Sequence, residues 1–168
     1  MSASLYASTA AQFVRGLQNL SALLEKGAAW AQENGKSEEE ILNTRLAEDM
    51  YPLARQVQIT SDMSKGAIAR LAGIAAPAME DTEATFAQLQ ERIAKTLYFI
   101  ESVKPQQLEG DESRPIVVKG KNFELNFTAH SYVTTFAVPN FYFHVTTAYN
   151  ILRHVGVKIG KSDFIGAI

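Results

Sequence analysis

Near the start of the chain, Tyr6, Ala10, Phe13, Leu17, Leu20, Leu24 and Ala28 follow one another at steps of four and three. At 3.6 residues per turn this spacing draws a single apolar stripe along a helix from Leu5 to about Gln32. A stripe of that length has to be buried against other helices. Three later segments carry comparable stripes, so the pattern predicts an all-α four-helix bundle.

Gly16 and Gly27 interrupt the first helix at a cost of about 1 kcal/mol each relative to Ala, which points to a closely approaching neighbour. Asn34-Gly35 ends it, and Ser37 with Glu40 has the capping-box spacing for a short turn, SEEEILNTRL. The second long helix begins around Pro52, where a missing N–H is harmless, and stops at Gly73. Leu53, Val57, Ile68 and Leu71 mark its apolar face, while Ser61 and Ser64 in mid-stripe indicate a tight crossing or a small polar pocket. A connector, IAAPAMEDTE, precedes a third helix capped by Asp81 or Thr82 and reaching Val103, with Phe86, Leu89, Ile93, Leu97 and Ile100 inward. RPIVV and FELNF, separated by KGKN, read as a β-hairpin with Phe123, Leu125 and Phe127 on one covered face. The fourth helix runs from Thr128 or Ala129 to Val155 with Gly156 as its cap, and Pro139 predicts a kink or a restart at Asn140. The tail carries Ile159, Phe164 and Ile165 and is expected to dock onto the bundle.

The 168 residues suit one domain, 1–168, large enough to bury a core without a disulfide or structural metal. With no cysteine there is no thiolate nucleophile or Cys-based zinc site. The net charge is -2 and the basic residues are scattered, which argues against nucleic acid as a partner. No segment approaches the roughly 20 apolar residues of a membrane span, and MSASLYASTAAQF lacks the pattern of a signal peptide. A soluble cytoplasmic protein is expected.

Only three histidines are available for metal or acid–base chemistry. His144 lies in the stripe Phe141, His144, Ala148 and Ile151 of the fourth helix, which would turn it into the bundle. There it can serve as a metal ligand, a general base or a hydrogen-bonded core residue. His154 lies roughly 15 Å farther along the axis and about 80° around it; His130 lies roughly 21 Å back. Neither can share an ion with His144 on one straight helix. Partners must come from the second helix, where DMYPLARQVQITSD supplies Asp49 and Gln56. Asp49, just before the helix start, is also placed to cap backbone N–H groups. Gln56 and Thr60 are neighbours at i, i+4, whereas Arg55 and Asp62 are two turns apart. Tyr142, Tyr149 and Thr146 are candidates to line or rim the same cavity, or to pack.

The runs LYASTAAQFVRGLQNLSALLEK, RLAEDMYPLARQVQITSD, RLAG and PNFYFHVTTAYNILRHVGVKIGKSDFIG resemble a bacterial and fungal family of unknown function. That family is placed with the DinB/YfiT-like four-helix bundles, a metalloenzyme superfamily, and the resemblance covers essentially the whole chain. It implies a DinB-like bundle in up-down-down-up order, commonly a homodimer, with the hairpin in the connection before the last long helix. Superfamily members with known activity include metal-dependent thiol transferases. Their divalent metal sits on three histidines, one from the second helix and two, four residues apart, from the last. Here His144 matches one last-helix ligand. Its partner position is Ala148 or Asn140, the second-helix position falls near Gln56 or Gln58, and two of the three ligands are absent.

Two functional readings follow. One is a thiol-transferase-like enzyme, or a former one, with His144 as surviving catalytic residue and metal ligand and Asp49 or Gln56 in support. The other is a non-catalytic or degenerate-site homodimeric bundle that binds a small molecule or a protein between helices two and four. The second takes precedence; a purely structural interaction protein is a third possibility.

Overall fold

The computed structural model describes residues 4–167; Met1 to Ala3, part of the N-terminal stretch considered above, and Ile168 lie outside them. Four long helices form the body: α1 (Ala10–Glu33), α2 (Leu53–Ala72), α3 (Phe86–Ser102) and α4 (Val138–Val155). None of the helices described is long and apolar enough to cross a membrane.

Cross-helix contacts give the directions. Gly16 meets Phe141 and Gly27 meets Leu152, so α1 and α4 run parallel. Gln56 meets His144 and Arg70 meets Tyr132, so α2 runs against α4. Ser21 bonds Gln90 while Gly27 meets Phe86, so α3 runs against α1. The order is up-down-down-up, with α1 and α2 across a diagonal. The two glycines are the close approach expected of them: a Cβ on Gly16 would lie 2.5 Å from the Phe141 ring, and one on Gly27 2.8 Å from Leu152. Ser61 and Ser64 also resolve as a tight crossing. Ser61 bonds Thr96 of α3 at 2.7 Å, and Ser64 donates back to the Thr60 and Ser61 carbonyls.

Several boundaries differ from expectation. The first helix is broken at Thr9, where a separate turn (Leu5–Ser8) ends. The Glu109 carboxylate, from far along the chain, accepts from the Leu5 and Tyr6 N–H groups, and Thr9 donates its hydroxyl to the Leu5 carbonyl, which closes the turn. Thr85, not Asp81 or Thr82, caps α3, in a reciprocal pair with Gln88. Asp81 is drawn away because it pairs with Arg55 and Arg92.

The strands β1 (Pro115–Lys119) and β2 (Glu124–Thr128) pair antiparallel, with Ile116 opposite Phe127 and Val118 opposite Leu125. These four share one face, but cover holds only for the first strand: Ile116 and Val118 are buried, whereas Leu125 is 38% and Phe123 54% exposed. Phe123 instead lies over Gly120, whose missing Cβ makes the room.

Pro139 causes neither a break nor a restart at Asn140. A wider π-helical turn, Tyr132–Ala137, precedes it and leads directly into α4. Val138 N–H bonds Val133 O, five residues back, and Asn140 Nδ2 donates to Phe136 O. The buried residues Val133, Ala137, Phe141 and Val145 are spaced by fours, a step that drifts around an α-helix. The extra residue in the π-turn absorbs that drift. Beyond Gly156, which takes φ 113°, the tail folds back on its own chain. Ile159 is buried, Phe164 packs edge-on against Tyr149, and Arg15 and Asn19 donate to the Ile165 carbonyl.

Candidate functional site

Pro52 sets the start of α2, which places Gln56 one turn in, facing α4. Gln56 is 1% exposed and both ends of its amide are bonded. Nε2 donates to the Tyr51 carbonyl at 2.9 Å, and Oε1 lies 2.7 Å from His144 Nδ1. A backbone carbonyl can only accept, so the amide NH2 must face Tyr51 and Oε1 must face the histidine. An amide oxygen also only accepts, so Nδ1 carries the ring proton. The neutral ring therefore keeps its lone pair on Nε2. Burial, with the Arg55 charge behind it, pushes the His144 pKa below the ordinary histidine value and favours this neutral form. Nε2 has no hydrogen-bond partner among the described residues, nor is it sealed from solvent.

His144 is half-buried at the α2–α4 seam and does not reach the bundle axis. The residues of α4 that fill the interior are Phe141, Val145, Ala148, Ile151 and Leu152. The Phe143 ring stands edge-on to the imidazole, 5.1 Å away, and Arg55 lies 5.8 Å over the Tyr51 ring. Asp49 is exposed in the loop before α2; no hydrogen bond joins it to His144 or Gln56, and it does not cap the helix. Of the two glutamines, Gln58 turns away to Arg55 and Glu83.

A divalent metal does not fit these residues. Among the described residues no group of three or more His, Asp or Glu side chains could hold an ion. Ala148 is buried and offers no donor atom; Asn140 directs its amide NH2 to the Phe136 carbonyl. The Arg55 charge, itself paired with Asp81, acts on His144 in the sense that opposes a further positive charge there. His130 is exposed beside Glu112 at 3.5 Å, and His154 is exposed near the far end of α4. The other rim candidates face elsewhere. Tyr142 bonds Gln12 of α1, Tyr149 packs on Phe164, and Thr146 is exposed. Tyr142 lines a groove of about 560 Å³ with Arg15 and Asn19, and a groove of about 830 Å³ lies between the 73–85 connector and α3; neither is lined by His144.

A second polar cluster went unseen in the sequence. Arg92, buried on α3, reaches Asp62 at 2.8 Å and both Asp81 and Glu83 at 3.0 Å. Lys65 joins Asp62 at 2.9 Å, and Arg55 bonds Asp81. Three cations thus meet three carboxylates. Burial opposes the Arg92 charge, yet the Glu83 bond and the three carboxylates outweigh it and raise its pKa. The signal was available: Leu89, Arg92 and Thr96 fall on the inward stripe of α3, opposite the acidic connector MEDTE.

No curated protein matches the chain. Among solved structures it is similar to a DinB family member protein from Shewanella denitrificans, with 39% sequence identity, a TM-score of 0.88, and coverage of 98% of this chain and 93% of that one. A family model described as domain of unknown function (DUF1993) matches residues 5–165. The matched residues span all four long helices and the hairpin, and the chain accordingly belongs to the DUF1993 family, on a DinB-like helical bundle.

Proposed function

We propose that this protein is a non-catalytic small-molecule binding bundle whose recognition point is the His144 Nε2 lone pair at the α2–α4 seam. The observation that carries this reading is the Tyr51–Gln56–His144 chain of hydrogen bonds, which fixes the ring and leaves one acceptor open. In a metal centre the lone pair would need further ligands. Here the second-helix residue that meets the ring is an amide on its Nδ1 side, and no group of three His, Asp or Glu side chains stands with it among the described residues. The alternative, a metal-dependent thiol transferase, lacks that ligand set.

The test combines two measurements on untagged protein. Long-range nitrogen–proton NMR is expected to show His144 protonated on Nδ1 near neutral pH. Metal analysis is expected to show no stoichiometric ion dependent on His144. A bound equivalent lost in His144→Ala would replace this reading with the metal-dependent one. The homodimer implied by the superfamily likeness remains part of the proposal. Within the chain Ile159 is buried and Phe164 is half-buried against Tyr149. Sizing at micromolar concentration tests the homodimer, and elution as a monomer would remove it.

A further inference from the structure

The groove of about 560 Å³ between α1, α4 and the tail holds one charge and no counter-charge. Arg15 follows Gln12 by three residues and precedes Asn19 by four, so these three groove-lining side chains share one face of α1. Tyr142 and Phe164 line it from α4 and the tail, and the buried Gly16 and Val145 add apolar surface. Its size is that of a small-molecule site. Arg15 is only half used. Nε and Nη2 donate to the Ile165 carbonyl and Nη2 also to the Ala167 carbonyl, while Nη1 has no partner among the described residues. Gln12 accepts from the Tyr142 hydroxyl through Oε1, and its Nε2 likewise has no partner among them. Asn19 donates Nδ2 to the Phe164 and Ile165 carbonyls. The open Nη1 and Nε2 are both donors, and the first is charged. Burial raises the Tyr142 pKa and the Arg15 charge acts against that rise, so the guanidinium field reaches into the groove. No Asp or Glu lines this space, and none pairs with Arg15 among the described residues. A guanidinium edge and an amide N–H beside apolar surface suit a carboxylate carried on an apolar body. A phosphate monoester would bring two charges to a single cation.

We propose that this groove is a second binding site, on the α1 side of α4 and away from His144, for a small monocarboxylate with an apolar body. The carboxylate oxygens accept from Arg15 Nη1 and Gln12 Nε2, and the body lies along Gly16, Val145, Tyr142 and Phe164. The site stands independently of the His144 reading above.

The experiment titrates the nitrogen-15-labelled full-length protein with matched probes. Hexanoate and 3-phenylpropanoate are expected to saturate and to shift the Gln12, Arg15 and Val145 amide signals while the His144 ring signals stay in place. Their primary amides, which lack the charge, and acetate, which lacks the body, should each bind at least about tenfold more weakly. 3-Phenylpropylamine should not bind. Arg15→Gln is expected to weaken 3-phenylpropanoate at least about tenfold. Because Arg15 also holds the tail, a second pair of variants leaves those bonds alone. Ala11 is an exposed residue of the groove. Ala11→Glu supplies a competing carboxylate and should weaken 3-phenylpropanoate about tenfold, whereas Ala11→Gln, of equal size, should keep its affinity. Amides matching the acids, acetate matching hexanoate, equal effects of Ala11→Glu and Ala11→Gln, or no binding by either acid would overturn the proposal. Shifts centred on His144 would place the ligand at the α2–α4 seam and overturn this site. A peptide with a free apolar C-terminal residue that binds more tightly than either acid would overturn the small-molecule assignment.

Discussion

Gln56 holds two groups with one side chain, and its environment makes both bonds matter. In Gln56→Leu the Tyr51 carbonyl and the His144 Nδ1–H each lose their partner at a part-buried site. One unsatisfied buried group costs about 1–3 kcal/mol, so urea denaturation should show a loss of about 2 kcal/mol. Nitrogen NMR should also show the tautomer preference of His144 relaxing. The lowered His144 pKa gives a separate expectation. As pH falls, the unfolded chain takes up this proton before the folded one does. The ring's contribution is complete above the ordinary value of 6.5 and declines as pH falls through it toward the lower folded value. His144→Gln should therefore lose less stability than the parent between about pH 7.5 and 5, measured as the shift in urea midpoint. Protonation leaves the Nδ1 bond to Gln56 intact but turns Nε2 from acceptor to donor, so ligand binding should weaken as pH falls through the lowered folded value, below 6.5.

The helices themselves reward a different kind of substitution. Gly16→Ala improves helix propensity by about 1 kcal/mol, yet the added Cβ would meet the Phe141 ring edge. Overpacking of this kind costs about 1–3 kcal/mol, so the variant should be destabilised in thermal unfolding. Combining it with Phe141→Leu should recover part of the loss, a non-additivity visible in a double-mutant cycle. Stripes of apolar residues located every long helix within a few residues. The stripes were less informative where one side chain could do two jobs. Asp81 has the composition of a cap, but an arginine from another helix claims it, and Thr85 takes the capping role. Pro139 reads as a helix breaker; its effect is absorbed by a π-turn because Asn140 and the i−5 bond occupy the carbonyls nearby.

Because α2 and α3 both run downward, the chain must return along the full length of the bundle between them. The connector from Gly73 to Thr85 does this: thirteen extended residues reach about 43 Å at most, against about 30 Å for α2. Arg92 fastens it, taking Asp81, Glu83 and the Glu80 carbonyl from the connector and Asp62 from α2. In Arg92→Met, Asp62 keeps Lys65 and Asp81 keeps Arg55, but Glu83 loses its cation and the three carboxylates lose the charge that gathers them. Asp62 and Asp81 are partly exposed and can regain water, so the loss should be about 2–4 kcal/mol, at or below the usual cost of breaking a buried pair. Limited proteolysis should then cut the 73–85 connector before any helix.

The number, length and apolar faces of the four helices, the hairpin and the weakness of a three-histidine metal site were all set by the residues in order. Periodicity and the absence of particular side chains are local properties, visible along the chain. Which groups meet was a tertiary matter. That Gln56 and not Gln58 or Asp49 faces His144, that the ring stops at the seam short of the axis, and that Arg92 gathers carboxylates from two segments all depend on helix rotation. Rotation is fixed by how whole apolar faces pack, including the room left by Gly16 and Gly27, and no single segment carries that information.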